Sequence, residues 1–212
     1  MASPPVSGAA DCDEVASDDA ASDDPFTRFA AWYEAAQRCG ISEPTHMVLA
    51  TVDKTGLPSA RVVLLKAFDG RGFVFYTNTL SRKGKELDDN PKAALCFYWG
   101  PLGRQVRVRG PVERVPDDEA DLYFSSRPRD SQLGAWASLQ SETLTSRAEL
   151  VERFAEVKAR YEGQPVPRPP HWTGLRVVPD EIEFWEAREN RLHHRDLFVR
   201  EGERWHKALL YP

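Results

Sequence analysis

Residues 46–67 read HMVLATVDKTGLPSARVVLLKA. Two apolar runs, 46–52 and 59–67, flank the turn-forming residues DKTG at 53–56, and this pattern predicts a β-hairpin. Further apolar runs between turn residues predict strands at 73–77, 93–99, 105–115, 175–178, 181–185, 195–200 and 205–209. Many short strands with few long helices predict an α+β fold that is mainly β, an antiparallel barrel with peripheral helices.

Helical signals occupy much of the remaining chain. Asp24 and Pro25 suit an N-cap and a first helical residue, and apolar residues at helical spacing follow until Gly40. A short polar helix is predicted from about Arg82 to the Asn90-Pro91 pair. Further helices are predicted at 117–125, 130–137 and 146–161, followed by an extended proline-rich segment at 165–170.

The charge distribution separates the first residues from the rest of the chain. Residues 1–24 carry seven of the 33 acidic residues and no Lys or Arg, which leaves 26 acidic against 28 basic residues in 25–212. The composition of 1–24 predicts a disordered acidic tail, and 25–212 suits one compact domain. A nearly neutral body argues against general nucleic-acid binding, which normally needs a basic face.

Several classes of protein lack support in the sequence. No stretch has the roughly 20 apolar residues of a membrane-spanning helix, and the first residues do not resemble a secretory signal, so we expect a cytoplasmic protein. Cys12, Cys39 and Cys96 lack metal-ligand spacing, which predicts reduced thiols and no metal site. The common signatures of nucleotide-binding loops, zinc proteases and esterases are also missing from the sequence.

Three clusters combine cations with hydroxyl groups, the donors that bind phosphate. They are Arg61 with Lys66, Ser81 with Arg82 and Lys83, and Tyr123 with Arg127 and Ser131. Taken singly, each is as well explained by solvated surface or helix capping. Five residues separate Arg61 from Lys66, so a regular strand would place them on opposite faces. Pro128 favours the start of a second helix between Arg127 and Ser131.

A further cluster combines aromatic and cationic residues near the C-terminus. The segment EFW at 183–185 precedes RLHHR at 191–195. Aromatic rings and guanidinium planes stack on flat ligands, and cations stabilise developing negative charge, so the cluster suits an electron-accepting ring. A core Trp185 and an exposed pair of histidines would explain the same residues.

Short motifs follow one another in a fixed order: RVVLLK at 61–66, FYTN at 75–78, SRK at 81–83, RQ at 104–105, RPRDSQLGAWAS at 127–138, QS at 140–141, EFW at 183–185 and RLH at 191–193. In order and spacing they resemble the pyridoxamine 5'-phosphate oxidase family over about residues 25–212. The resemblance implies an FMN-binding split β-barrel and a homodimer with FMN at the subunit interface. It also implies that pyridoxamine or pyridoxine 5'-phosphate is oxidised to pyridoxal 5'-phosphate while O₂ becomes H₂O₂.

The resemblance also implies roles for individual residues. It assigns to FMN, with some residues coming from the other subunit, Arg61, Val62, Val63, Leu64, Lys66, Tyr76, Thr77, Arg82, Lys83, Gln105, Gln140, Ser141, Trp185 and Arg195. It assigns the substrate phosphate to Lys66, Tyr123, Arg127 and Ser131. Arg191 and His193 would lie over the substrate ring and its reacting carbon as the catalytic residues.

Three departures from the family pattern imply a changed substrate preference or rate. No Arg or Tyr occurs between Asp11 and Asp24, where family members usually have an Arg-x-x-Tyr segment that closes over the substrate. His194 replaces an acid, and the C-terminus reads LLYP instead of Arg-Leu-x-Pro.

Two alternatives stay open. One is a phenazine-type FMN oxidase, a related group that tolerates a basic residue at the position of His194. The other is a flavin or pyridoxal phosphate binding protein with little turnover. The trio of Tyr123, Arg127 and Ser131 favours a phosphorylated substrate, because a phenazine precursor has no phosphate.

Overall fold

A computed structural model describes residues 22–212, so most of the predicted acidic tail lies outside the described residues. Five α-helices are described: α1 (Pro25–Arg38), α2 (Arg82–Asp89), α3 (Asp117–Ser126), α4 (Arg129–Ala137) and α5 (Arg147–Arg160). The strands are β1 (His46–Val52), β2 (Pro58–Leu64), β3 (Ala67–Asp69), β4 (Gly72–Asn78), β5 (Lys92–Trp99), β6 (Arg104–Arg114), β7 (Trp172–Val177), β8 (Glu181–Glu186), β9 (His194–Glu201) and β10 (Arg204–Leu209). Short 3₁₀ turns occupy Gly100–Leu102 and Glu189–Arg191.

The strands form one antiparallel sheet in the order β10-β9-β8-β6-β5-β1-β2. A branch extends it through β7, which pairs with β6 and β4, and β3 pairs with β4. The first part of β6 pairs with β5 and β8, and its last residues, Val112 to Arg114, pair with β7. Helices pack outside this branched sheet, which is the predicted antiparallel split β-barrel with peripheral helices.

Gly110 lies where β6 passes from one part of the sheet to the other. A Cβ atom at this position would lie 2.0 Å from the carbonyl oxygen of Val178, a distance that no side chain tolerates. Glycine therefore permits the close approach of two backbones that splits the barrel.

The barrel core is aromatic, and α1 covers it. Asp24 caps α1 by accepting a hydrogen bond from the Thr27 N–H at 2.8 Å. Phe29 of α1 packs edge-on against Phe73 and Phe97, with ring centroids 4.8 and 5.1 Å away. The buried Arg28 forms an ion pair with the buried Asp196 of β9, which joins α1 to the C-terminal strands.

Most predicted elements are confirmed, and the differences arise from long-range pairing. β7 begins at Trp172 rather than at 175, because all residues of β4 from Phe73 to Asn78 pair with it. The predicted strand 59–67 is broken after Leu64, and a separate β3 begins at Ala67. Within residues 22–212 the longest α-helices have 14 residues, and no described helix meets the length and apolarity needed to span a membrane.

Candidate active site

A cavity of about 670 Å³ opens between the β1–β2 hairpin, β4 and the α3–α4 pair. This volume suits a medium-sized ligand. The lining residues are Arg61, Val62, Val63, Leu64, Lys66, Tyr76, Thr77, Asn78, Lys83, Tyr123, Arg127, Pro128, Ser131, Gly134, Ala135, Ser138, Gln140 and Trp172. Two of the three clusters singled out in the sequence, and Lys83 from the third, therefore face one space.

Arg61 and Lys66 both line the cavity, although a regular strand would have separated them. The strand is irregular because the chain changes partners after Leu64. The Leu65 N–H bonds to the carbonyl of Thr45 beside β1, and the Lys66 N–H bonds to the carbonyl of Val74 in β4. The prediction of opposite faces applied to a regular strand, and the break after Leu64 brings both residues to the cavity.

The second cluster sits at the junction of α3 and α4. Pro128 occupies the N-cap of α4, as predicted, and two separate helices result. Tyr123 lies in the last turns of α3, Arg127 follows α3 directly, and Ser131 lies in the first turn of α4. All three line the cavity across this break.

Arg127 lies on an aromatic surface. Its guanidinium carbon is 4.8 Å from the ring centroid of Trp172 and 5.5 Å from that of Phe124. Its Nη1 is buried and has no hydrogen-bond partner among the described residues. Burial lowers the pKa of Arg127. A half-buried cation with a buried and unpaired donor is costly unless an anion pairs with it, so the cavity is suited to an anionic ligand.

Tyr76 and Tyr123 extend that surface as a stack. Their ring centroids lie 4.0 Å apart, and the ring of Tyr76 lies 5.0 Å from that of Trp172. Burial, reinforced by the charge of Glu119, raises the pKa of Tyr76 to about 12. The phenol therefore stays neutral at physiological pH and does not repel an anion.

A second cationic region lies at the start of α2. Ser81 caps this helix, and Lys83 Nζ donates to Gln140 Oε1 at 2.9 Å. Thr77 Oγ1 lies 3.5 Å from the same oxygen. Burial, and then the nearby charge of Arg61, lower the pKa of Lys83. An anion bound here would relieve both effects.

The remaining predicted residues do not line this cavity. Gln105, Trp185 and Arg195 are directly paired neighbours across β6, β8 and β9, so their side chains share one face of the sheet. We call these three residues the aromatic–cationic row. Arg195 donates to Glu183 at 2.7 Å and to the carbonyl of Tyr211 at 2.9 Å.

The turn between β8 and β9 carries the two predicted catalytic residues. The His193 ring lies 4.6 Å from that of Trp185, and its Nδ1 accepts a hydrogen bond from the Arg188 N–H at 3.2 Å. A neutral His193 would therefore carry its proton on Nε2. Asn190 and Arg191 adopt positive φ angles of 56° and 62°. For Arg191 this is a strained conformation, which presents its side chain at the apex of the turn.

All but two of the sequence-predicted residues thus fall into two groups. The cavity holds Arg61, Val62, Val63, Leu64, Lys66, Tyr76, Thr77, Lys83, Tyr123, Arg127, Ser131 and Gln140. The row and its turn hold Gln105, Trp185, Arg191, His193 and Arg195. Arg82 is largely exposed and pairs with Glu86, and Ser141 follows Gln140 with a φ of 75°.

Sequence reasoning missed Trp172 and Glu86. Trp172 supports Arg127, and its only signal was an aromatic residue after the proline-rich segment. Glu86 was one acid in a polar helix, and nothing in the sequence indicated that it is buried beside Arg61.

Comparison with known proteins finds matches along most of the chain. A family model described as pyridoxamine 5'-phosphate oxidase matches residues 33–161. A second, described as the pyridoxine 5'-phosphate oxidase C-terminal dimerisation region, matches residues 172–212. A protein of Myxococcus xanthus called pyridoxine/pyridoxamine 5'-phosphate oxidase is 62% identical over 89% of this chain and 92% of its own. One of the same name from Rubrobacter xylanophilus is 57% identical over 92% and 90%.

Solved structures show the same fold. PhzG from Burkholderia lata, in complex with tetrahydrophenazine-1-carboxylic acid, superposes with a TM-score of 0.86 and 34% identity over 92% of this chain and 95% of its own. An FMN-binding protein of Nostoc punctiforme, related to pyridoxamine 5'-phosphate oxidase, superposes with a TM-score of 0.72. Its identity of 19%, over 91% of this chain and all of its own, supports the fold alone.

Proposed function

Because the chain belongs to the pyridoxamine 5'-phosphate oxidase family, it is an FMN-dependent oxidoreductase that makes pyridoxal 5'-phosphate, and we propose that the cavity is one half of its active site. The observation that carries the proposal is the convergence of two separate cationic regions on one cavity. One region, around Lys83 and Arg61, suits the phosphate of FMN. The other, around Arg127, suits the phosphate of the substrate.

The residues of the cavity fit these two anions. Lys83 is desolvated beside another cation, and Arg127 has a buried donor without a partner, so each gains from a phosphate. FMN, when bound, supplies the two-electron acceptor, and O₂ then takes up the electrons as H₂O₂. Val62, Val63, Leu64, Tyr76, Thr77 and Gln140 also line the cavity, and the apolar side chains among them would exclude water from a bound flavin.

The residues around Arg127 would fix the substrate. Tyr123, Ser131 and Lys66 complete a set of hydroxyl and cationic donors for a phosphate ester. Anchoring the phosphate sets the position of the pyridine ring and its exocyclic carbon, because a rigid anchor converts binding energy into orientation.

The second half of the site would come from another copy of the chain. The C-terminal part belongs to a dimerisation region, which indicates a homodimer. Trp185, Arg195 and the turn with Arg191 and His193 lie in this C-terminal part, and Gln105 pairs with it through Trp185. None of these residues lines the cavity of its own chain. We propose that Gln105, Trp185 and Arg195 of one subunit complete the FMN site of the other. Arg191 would then align the substrate amine or alcohol, and the Nε2–H of His193 would support that alignment.

We also propose that residues 25–212 form the oxidase domain. Arg82 and Ser141 would contribute to the FMN site at its rim. A cytoplasmic location stays a prediction from the sequence.

Anaerobic reduction tests the function. The purified protein should be yellow, and pyridoxamine or pyridoxine 5'-phosphate should bleach the flavin without air. Admitting air should restore the colour and release H₂O₂ with aldehyde. Pyridoxamine without its phosphate is the matched control and should react far more slowly. A bound flavin that neither phosphate ester reduces would indicate a binding protein with little turnover.

A phenazine-type oxidase is the second candidate, since PhzG has the same fold at 34% identity. The relatives named for B6 phosphates are much more similar, at 57–62% identity. Reduction of the flavin by a dihydrophenazine carboxylate, but by neither B6 phosphate, would favour the phenazine-type oxidase over the B6-phosphate oxidase.

A further inference from the structure

A buried carboxylate lies behind the cations of the proposed FMN phosphate site. Glu86, on α2, is 4% exposed. Its Oε2 accepts hydrogen bonds from Thr51 Oγ1 and from Arg61 Nη2, the latter at 3.1 Å. Its Oε1 accepts from Arg82 Nε at 3.0 Å. One side chain thus holds two arginines from two different elements.

Arg61 is fixed by this arrangement. Its Nη1 donates to the carbonyl of Leu49 and to Thr51 Oγ1, and its Nη2 donates to Ser59 Oγ and to Glu86. All four terminal N–H groups therefore have protein partners, and the guanidinium has a single orientation, so Arg61 contributes to an anion site through its charge and its Nε–H. Glu86 is the only one of these partners that carries a charge.

Arg82 depends on Glu86 more strongly, because it is mostly solvent-exposed. Its side chain is 62% exposed, and its ion pair with Glu86 spans one turn of α2. An exposed arginine loses considerable side-chain entropy when a ligand orders it. An ion pair that restrains Arg82 before binding reduces that loss.

The charge of Glu86 is maintained despite burial. Burial raises its pKa, but the hydrogen bonds from Thr51 and Arg82 and the charge of Arg61 outweigh this and bring the pKa below its usual value. Glu86 is therefore ionised at neutral pH. It also offsets the mutual repulsion of Arg61 and Lys83 before an anion binds.

We propose that Glu86 is a positioning residue for the FMN phosphate: it holds Arg61 and Arg82 in the orientation that binds the phosphate and does not touch the cofactor itself. Arg61 lines the cavity and Glu86 does not, and the Arg61 guanidinium donates to Glu86 at 3.1 Å. This placement limits repulsion between Glu86 and a bound phosphate. The inference rests on the proposed function, because it assumes that FMN occupies this cavity.

Affinities for FMN and riboflavin, which lacks the phosphate, test the proposal in the full-length apoprotein. Glu86→Gln keeps the size of the side chain but turns one acceptor oxygen into a donor facing an arginine or Thr51. We expect FMN to bind about 10-fold or more weakly, the usual effect of losing a hydrogen bond to a charged group, and riboflavin to bind within about 2-fold of wild type. Quenching of flavin fluorescence measures both affinities.

Asp88→Asn is the matched control, because Asp88 lies on the same helix in an exposed ion pair with Arg114. It should bind both flavins like wild type. Unchanged or tighter FMN binding by Glu86→Gln would overturn the proposal, and so would an equal loss for FMN and riboflavin. A wild-type protein that binds no FMN would instead refute the proposed function.

Should Glu86→Gln fail to fold, Glu86→Asp provides the same test. It keeps the charge but is one methylene shorter, so it cannot reach both arginines as Glu86 does. A loss of affinity specific to FMN supports the positioning role, and wild-type affinity for FMN contradicts it.

Discussion

The guanidinium of Arg127 lies against the indole ring of Trp172, 4.8 Å from its centroid, with the buried Nη1 free of any hydrogen-bond partner in the described part of the chain. An aromatic face stabilises a cation without using its N–H groups. The pair therefore holds a positive charge in place while its donors remain available for a ligand. This combination supports the role of Arg127 as the anchor of the substrate phosphate.

Replacing Arg127 should weaken substrate binding selectively. Arg127→Met keeps the bulk over Trp172 but removes the charge and the donors. Loss of a charge-assisted hydrogen bond costs about 1.5–3 kcal/mol, so we expect KM for pyridoxine 5'-phosphate to rise about 10- to 100-fold. Steady-state kinetics measures this, and FMN affinity serves as the control. An unchanged KM would remove Arg127 from the phosphate site.

Replacing Trp172 should act through Arg127. Trp172→Leu removes the aromatic face, and a partly buried cation–π contact is worth about 1 kcal/mol, which predicts a KM about 5-fold higher. Trp172→Phe retains a ring and should lie close to wild type. If the leucine and phenylalanine variants have the same KM, the aromatic contact does not orient the arginine.

Because of Lys83, the affinity for FMN should change with pH in the alkaline range. The pKa of the half-buried Lys83 is lowered from 10.5 in the folded protein, so its charge destabilises the apoprotein at neutral pH. This cost disappears as the pH rises from the lowered pKa to 10.5. A bound phosphate raises the pKa again, so binding takes up a proton in that window. FMN affinity should therefore fall as the pH rises through it.

Lys83→Arg tests this assignment, because guanidinium stays charged throughout the range. Its FMN affinity, measured by fluorescence titration from neutral to alkaline pH, should lack the fall that Lys83 causes. Parallel curves for wild type and variant would assign the pH dependence to another group.

Because the backbone of Arg191 is strained, two substitutions at this position can separate an effect on protein stability from an effect on the reaction. Arg191→Ala and Arg191→Gly both remove the guanidinium, and both should slow flavin reduction by the substrate while FMN stays bound. Glycine accepts a φ of 62° without strain, so the glycine variant should be about 1 kcal/mol more stable than the alanine variant. Thermal unfolding and anaerobic stopped-flow reduction measure the two effects. Reduction at the wild-type rate would refute the role of Arg191.

Mixing two impaired variants, assayed at a substrate concentration well below the raised KM of Arg127→Met, tests the shared active site. Arg127→Met impairs substrate binding in the cavity, and Arg191→Ala impairs the reaction at the turn after β8. If the two groups meet across subunits, a mixed dimer has one intact and one doubly defective site. Random subunit exchange should then restore about a quarter of wild-type activity, since about half of the dimers are mixed. No recovery, despite mixed dimers detected by mass spectrometry, would place both groups in the same subunit.

Local sequence signals were sufficient for much of the fold. Asp24 and Pro25 mark the start of α1, and Pro128 separates α3 from α4, because capping and proline geometry act over one or two residues. The sequence of β6 alternates in the same way as its burial: Arg107 and Arg109 are exposed and Val106 and Val108 are buried, because side chains alternate across a strand.

The resemblance to the oxidase family, carried by the order of short motifs, identified the chemistry as well. Its list of individual FMN and substrate residues stays a prediction until variants are measured. The tertiary structure adds that most of these residues either line one cavity or lie in a row and a turn that do not line it.

From sequence alone, then, the types of element, their approximate limits and the family follow, because these depend on neighbouring residues and on motif order. The tertiary structure decided that Arg61 and Lys66 share a cavity, that Trp172 supports Arg127, and that Glu86 is buried behind two arginines. These relationships depend on strand pairings such as Asn78 with Trp172 and on a change of partner after Leu64. Such pairings join residues far apart in the chain, and the energy that selects them comes from packing the whole barrel rather than from any local segment.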